Sequence, residues 1–109
     1  MGILTKNRTR ISPQEAQRRM QASDAFVLLD VRTAPEYREV RIDGAKLIPV
    51  DELALRAPAE LPDKQTPIFI YCHSGARAAN AADLLVGMGY ADVCHFGGVI
   101  NWPYEVTKG

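Results

Sequence analysis

Residues 68–77 read IFIYCHSGAR, and they lead from an apolar run straight into a polar loop. The apolar run at 68–71 is unbroken, which is typical of a strand buried on both faces of a parallel sheet. The loop starts at Cys72 and ends at Arg77. A helix is predicted directly after it, because apolar residues recur at helical spacing at Ala81, Leu84, Leu85 and Met88. Gly89 suits the C-terminal cap of this helix.

Four further strands are predicted along the chain. Two are apolar runs, at residues 26–29 and 92–96. A brief strand is predicted within residues 44–49 and a short edge strand at residues 9–11. Because these strands alternate with helical patterns, the fold class is α/β, with a small, mostly parallel five-stranded sheet and helices on both of its faces.

Capping signals mark the helices between these strands. Ser12 and Thr33 are each followed by a proline and by a glutamate three residues after the cap, which predicts helices to about residue 22 and about residue 40. Shorter helical turns are predicted at residues 51–55 and 99–102. Residues 58–67 contain three prolines among charged residues and predict a surface connection.

Length and charge restrict the classes of protein. The chain has 109 residues, about one ordinary domain. Lysine plus arginine total 13, as do aspartate plus glutamate, so the net charge indicates no nucleic acid or membrane as partner. The N-terminus lacks the apolar stretch of a secretory signal, and Lys6 stands where a myristoylation signal has Ser or Thr. We therefore expect a cytoplasmic protein.

The two cysteines, Cys72 and Cys94, are each followed directly by a histidine, His73 and His95. Short zinc motifs usually space their ligands by two to four residues, whereas adjacent residues of a strand point to opposite faces. The spacing therefore disfavours a metal site. A disulfide between the cysteines stays open at this stage, although free thiols are expected in a reducing compartment.

The chemistry is expected at the loop that begins with Cys72. Ligands of open parallel sheets bind at the carboxyl ends of the strands, where Asp30, Arg32 and the 97–98 glycines also lie. At this strand-to-helix turn, backbone N–H groups can converge on the sulfur and stabilise a thiolate. Gly75 permits a left-handed or strained backbone, and Arg77 can fold over the same space.

A thiolate inside a ring of N–H donors requires a substrate that is both an anion and a soft electrophile. Thiosulfate meets both demands. The thiolate would attack its outer sulfur, sulfite would leave, and the N–H groups would hold the persulfide on Cys72 until an acceptor removed the sulfur. This chemistry requires neither a metal nor an organic cofactor.

Several ordered motifs resemble the single-domain rhodanese-like sulfurtransferase family. They are LDVR at 29–32, PEY at 35–37, IDGA at 42–45 leading to Ile48-Pro49, YCHSGAR at 71–77, and GG at 97–98 followed by Trp102. The resemblance covers roughly residues 9–105, with an N-terminal extension at 1–8 and a C-terminal tail at 106–109. It implies a three-layer rhodanese-like domain and thiosulfate sulfurtransferase activity, with cyanide or a thiol, including a protein thiol, as acceptor.

The resemblance also implies the residues of the site. Cys72 is the nucleophile, and a six-residue loop binds the substrate through His73, Ser74, Gly75, Ala76 and Arg77. Two positions depart from the family pattern. His73 follows the cysteine where the family often has a basic residue, and Arg41 precedes the IDGA motif where the family has a histidine.

Several nearby side chains have both a structural and a functional interpretation. Cys94 is expected in the core rather than as a resolving thiol. Asp30 and Arg32 either pair with each other or support the pocket. Glu36 is expected to complete the capping box of Thr33 rather than act as a catalytic acid, and Trp102 is expected to be a packing anchor.

Two rival functions use the same features. Cysteine-dependent phosphatases and arsenate reductases also close an anion loop with arginine, but the phosphatase pattern would place that arginine at position 78, which is Ala78. A binding module without activity usually lacks the cysteine. A persulfide carrier that hands sulfur to a protein acceptor stays open beside the stand-alone enzyme.

Overall fold

The computed structural model describes residues 8–109. The strands are β1 (Arg8–Arg10), β2 (Val27–Asp30), β3 (Val40–Ile42), β4 (Lys46–Leu47), β5 (Ile68–Cys72), β6 (Val93–Gly98) and β7 (Val106–Lys108). The α-helices are α1 (Pro13–Ala22), α2 (Ala34–Glu39), α3 (Leu53–Glu60) and α4 (Ala76–Gly87). Two 3-10 turns, Val50–Glu52 and Val99–Asn101, complete these elements. The predicted alternation of strands and helices is confirmed.

Five strands form one parallel sheet in the order β1-β6-β5-β2-β4. Strand β5, which ends in Cys72, is central, so its carboxyl end lies between those of β2 and β6. Register places Tyr71 beside Asp30 and Cys72 beside Gly98. The expected α/β fold is therefore confirmed, and all the strands of this sheet are parallel.

Alternate residues of β5 enter two separate cores. Ile70 and Cys72 belong to the first core, which α3 and α4 cover. Phe69 and Tyr71 belong to the second core, which α1 covers from the opposite face. This alternation follows from the two-residue period of a strand and produces the three layers.

The helix ends follow the capping chemistry of the sequence. The Ser12 hydroxyl accepts from the Glu15 N–H at 3.0 Å, and Thr33 and Glu36 form a complete capping box. At the end of α4, Gly89 has a φ of +98°. The N–H groups of Gly89 and Tyr90 there bond the carbonyls of Val86 and Leu85, as in a Schellman motif.

The surface connection predicted over residues 58–67 is wrong at its start, because α3 continues to Glu60. Leu53, Ala57 and Leu61 are buried at four-residue intervals, and burying this stripe outweighs the backbone hydrogen bond that Pro58 cannot donate. The helical turn predicted at 51–55 is present, and it consists of the 3-10 turn and the start of α3, which continues five residues beyond the predicted end.

The segment predicted as a C-terminal tail, residues 106–109, includes a strand at Val106–Lys108. These residues form β7, which pairs antiparallel with β3, a strand that the sequence pattern did not indicate. Each strand has only three residues, too few to show a period, and the partners lie more than sixty positions apart. Ile42 and Val106 face each other in this pair and join the second core.

Within residues 8–109, none of the helices has the length and apolar character that crossing a bilayer would require.

Candidate active site

The loop from Cys72 to Arg77 lies at the carboxyl edge of the parallel sheet. Cys72 is the last residue of β5, and α4 begins at Ala76. Between them, His73 and Ser74 are exposed and Gly75 is half-buried. The structure therefore brings the predicted site residues into one strand-to-helix turn.

Cys72 lies beneath this turn, and the residue is 1% exposed. The backbone N–H of Gly75 donates to Sγ at an N–S distance of 2.9 Å. In its thiol form, Cys72 can donate to the Gly97 carbonyl, whose oxygen is 3.9 Å from Sγ. A backbone donor at this distance stabilises negative charge on sulfur, as expected for a thiolate at a helix N-terminus.

Two glycines make this geometry possible. Gly75 has a φ of +129°, a backbone conformation that residues with a Cβ rarely adopt. Gly98 lies so close to the loop that a Cβ there would overlap the His73 carbonyl group. The Ile100 N–H donates to the same carbonyl oxygen at 3.4 Å. The close approach of Gly98 to the His73 backbone was not predicted from the sequence. The paired glycines at 97–98, at the end of β6, were the signal for it.

Arg77, the last residue of the loop, is engaged by a side chain of α2. Its guanidinium forms a bidentate ion pair with Glu36, with Nη1–Oε1 and Nη2–Oε2 distances of 2.8 and 3.0 Å. The hydrogen bonds from Arg77 lower the pKa of Glu36 to about 2. In turn, the hydrogen bond and the charge of Glu36 raise the pKa of Arg77, and a negative charge on Cys72 would act in the same direction. Arg77 is therefore close enough to interact electrostatically with Cys72, while both of its terminal nitrogens donate to Glu36.

Glu36 has more hydrogen-bond partners than its predicted role in the capping box requires. Its Oε1 atom accepts from the Thr33 N–H at 2.9 Å and from the Thr33 hydroxyl at 3.0 Å, besides Arg77. The capping box therefore forms as expected, and it also anchors the arginine of the loop. Sequence reasoning missed this link because the two partners are 41 residues apart.

Asp30 and Arg32 form a buried bidentate pair at the end of β2. The Arg32 Nε–Asp30 Oδ1 and Nη2–Oδ2 distances are 3.0 and 2.7 Å, and the Arg32 N–H also bonds Oδ1. Burial acts to lower the pKa of Arg32, but the hydrogen bond and the charge of Asp30 outweigh it and raise that pKa. Arg32 also donates to the Val40 carbonyl, which connects β2 to β3. Both interpretations of this pair are compatible with its position, since Arg32 also lines a groove beside the loop.

That groove, hereafter the loop groove, has a volume of about 420 Å³. It is lined by Arg32, Glu36, Glu39, Val40, His73, Val99, Ile100, Trp102, Tyr104 and Val106. Ile100 and Tyr104 are 58% and 41% exposed, so its wall presents apolar surface next to the loop. The wall is formed by the 3-10 turn after β6, the residues between that turn and β7, and the β3–β7 pair, and the sequence analysis did not predict it.

Cys94 lies apart from this site, in the second core. It pairs with Phe69 in the sheet and is 3% exposed. Burial raises the pKa of the Cys94 thiol, and Arg19 Nη1 lies 3.6 Å from its sulfur. Both cysteines are free, and residues 8–109 hold no cluster of side chains suited to a metal ion. Trp102 is buried against Phe96, as a packing anchor should be.

Comparisons with known proteins agree with this geometry. The Rhodanese-like domain family matches residues 12–103. Thiosulfate sulfurtransferase PspE of Escherichia coli (strain K12) is 32% identical over 81 residues, covering 74% of this chain and 78% of PspE. A Mycobacterium tuberculosis protein named "Probable adenylyltransferase/sulfurtransferase MoeZ" is 34% identical over 98 residues, covering 88% of this chain but only 25% of MoeZ.

The fold is shared with solved structures as well. The structure described as "rhodanese with anions from E. coli" has a TM-score of 0.73 and 32% identity to this chain, covering 78% of this chain and 100% of the other. The family match extends over most of the chain, and the similar protein PspE is matched over most of its own length. The chain therefore belongs to the rhodanese-like sulfurtransferase family.

Proposed function

We propose that this protein is a thiosulfate sulfurtransferase that transfers sulfane sulfur, through a persulfide on Cys72, to cyanide or a thiol acceptor. The observation that carries the proposal is the hydrogen bond from the Gly75 N–H to Cys72 Sγ at the start of α4. It supports a thiolate nucleophile and, after transfer, a persulfide anion in the same turn.

The proposed reaction has two steps, and both balance without a cofactor. In the first, the Cys72 thiolate attacks the outer sulfur of thiosulfate. A new S–S bond forms on the cysteine, and the S–S bond of thiosulfate breaks with its electron pair leaving on sulfite. In the second, cyanide or a thiolate attacks the terminal sulfur of the persulfide, which releases thiocyanate or an acceptor persulfide and restores the Cys72 thiolate.

The burial of the nucleophile supports a sulfur donor over a bulky electrophile. Only 1% of Cys72 is exposed, so the reacting atom has to enter the loop to reach Sγ. A terminal sulfur atom is small and carries no substituents on its far side. Attack on a crowded carbon centre would require a wider opening of the turn.

The position of Ala78 argues against a phosphatase. Ala78 is 0% exposed and packs in the first core, within the first turn of α4. The anion loop therefore closes at Arg77, one residue shorter than the phosphatase pattern. The shorter loop suits a sulfur atom better than a tetrahedral phosphate.

The loop groove favours a protein thiol as a second class of acceptor. Its exposed apolar residues, Ile100 and Tyr104, lie beside His73 at the mouth of the loop. Cyanide and small thiols gain little from such a surface, whereas a protein acceptor can bury it. In this role the protein would be a persulfide carrier.

The cytoplasmic location predicted from the sequence stays a prediction.

Intact-protein mass spectrometry after thiosulfate treatment tests the proposal. We expect the wild type to gain one sulfur atom and to lose it as thiocyanate on addition of cyanide. Peptide mapping should place that sulfur on Cys72. Sulfur found on Cys94 instead, or none with any sulfane donor, would contradict the proposal.

A further inference from the structure

The carboxyl edge of the sheet carries two guanidinium groups, and each is already paired. Arg77 forms its bidentate pair with Glu36, and Arg32 forms one with Asp30. The formal charges within each pair cancel. The surroundings of Cys72 are therefore less positive than the number of arginines suggests.

The Glu36–Arg77 ion pair weakens the binding of a doubly charged sulfur donor at the loop. A guanidinium that donates two hydrogen bonds to one carboxylate has fewer N–H groups left for a ligand, and its charge is largely compensated. A dianion such as thiosulfate also meets the negative charge of Glu36, which a singly charged donor feels about half as strongly. The Glu36–Arg77 pair is about one-third exposed, so solvent screens the effect to a modest size.

Glu36 is held in this position by a second set of contacts. The Thr33 N–H and hydroxyl both donate to Oε1, the same atom that accepts from Arg77 Nη1. An approaching anion would have to displace Glu36 from Arg77 while Thr33 still binds the carboxylate. The capping box therefore holds in place the carboxylate that compensates the charge of Arg77, and it also stabilises the start of α2.

We propose that Glu36 is a specificity-determining residue, which by holding Arg77 lowers the preference of the loop for doubly charged over singly charged sulfur donors. This inference rests on the proposed sulfurtransferase function. The donors it favours are sulfane sulfur compounds with one negative charge, such as organic thiosulfonates and small-molecule persulfides.

Glu36→Gln separates the ion pair from the capping box. Glutamine can still accept from Thr33, as it does in capping boxes, so α2 should keep its start. The two donors to compare are thiosulfate and methanethiosulfonate, in which a methyl group replaces one charged oxygen. Each presents a terminal sulfur to Cys72, and the leaving groups are sulfite and methanesulfinate. Glu39→Gln is the matched control, because it removes the same charge from the loop groove without altering the Arg77 pair.

We expect Glu36→Gln to lower KM for thiosulfate roughly threefold, with a much smaller change for methanethiosulfonate. The ratio of the two kcat/KM values should therefore shift toward thiosulfate, and Glu39→Gln should leave this ratio near that of the wild type. An unchanged ratio in Glu36→Gln, an equal shift in both variants, or an equal loss with both donors would overturn the inference.

Binding without turnover separates this inference from the proposed function. In a Cys72→Ser background, calorimetry with thiosulfate should show tighter binding when Glu36→Gln is added. Tighter binding would support the role of Glu36 even if the wild type transferred no sulfur, a result that would refute only the proposed function. Equal thiosulfate affinity with and without Glu36→Gln would refute the role of Glu36 even in a protein that transfers sulfur.

Discussion

Gly98 lies directly against the backbone of His73, and the space between them is too small for a methyl group. The contact joins the end of β6 to the first residue of the loop after Cys72. The path of the loop over the sulfur therefore depends on an absent side chain in a neighbouring strand.

Gly98→Ala should displace this loop and impair sulfur transfer more than it impairs folding. Overpacking of this kind costs about 1–3 kcal/mol of unfolding free energy. Gly87→Ala is the matched control, since a Cβ at Gly87, in α4, meets nothing within 4 Å and alanine is the better helix former. Urea unfolding and thiocyanate formation should be measured on both variants. Full activity in Gly98→Ala would show that the loop tolerates the displacement.

Cys72→Ser should abolish sulfur transfer, while Cys94→Ser should keep most of it. Serine retains the size of cysteine but lacks its soft nucleophile, and Cys94 is buried in the second core with a raised thiol pKa. Thiocyanate formation from thiosulfate and cyanide measures both variants. Comparable losses in the two would contradict the separation of their roles.

Arg77→Ala should weaken the use of thiosulfate by raising its KM roughly fivefold or more. The structural reason is that removing Arg77 leaves the Glu36 carboxylate unpaired beside the donor. Adding Glu36→Gln to Arg77→Ala should recover part of this loss. Arg77→Lys should be intermediate, because lysine supplies charge without the planar fork. Identical KM values in Arg77→Ala with and without Glu36→Gln would disprove this explanation.

The Glu36–Arg77 pair should make stability depend on pH in the acidic range. The hydrogen bonds from Arg77, with smaller contributions from Thr33, lower the pKa of Glu36 from 4.5 to about 2, so the pair stabilises the fold above about pH 4.5. This contribution is lost as the pH falls toward 2, where the carboxyl group is protonated. Because the pair is about one-third exposed, we expect less than about 1 kcal/mol.

The measurement is the difference in unfolding free energy between the wild type and Glu36→Gln, followed from about pH 5 to about pH 2. That difference should shrink as the pH falls. In an Arg77→Ala background, most of its pH dependence should disappear. A difference that stays constant or grows in acid would have the wrong sign for this pair.

Local patterns were sufficient to predict the strands and helices that surround Cys72 and the turn in which it lies. The apolar run before Cys72, the capping signals at Ser12 and Thr33, and the glycine at 89 each act through neighbours within a few positions. Such signals can be read without knowing the fold, so the elements that depend on them were predicted near their observed bounds.

The features that sequence reasoning missed depend on distant partners. The ion pair of Arg77 with Glu36 depends on how α2 lies against the start of α4. The pairing of β3 with β7 joins segments that are each too short to show a period. The burial of Cys72 also depends on a contact between distant segments. The absence of a side chain at Gly98 lets the loop backbone at His73 lie against the end of β6.

The parallel sheet also acts as a partition between the two thiols. Cys72 lies level with Gly98 and Cys94 lies four residues further back along β6, which separates their Cα atoms by roughly 13 Å. A disulfide requires Cα atoms within about 7 Å, so Cys94 cannot resolve a persulfide on Cys72 within the same molecule. In the proposed reaction, Cys94 therefore cannot remove the sulfur from the Cys72 persulfide. The loaded protein holds its sulfur until another molecule collides with it, and the supply of that molecule sets the lifetime of the stored sulfur.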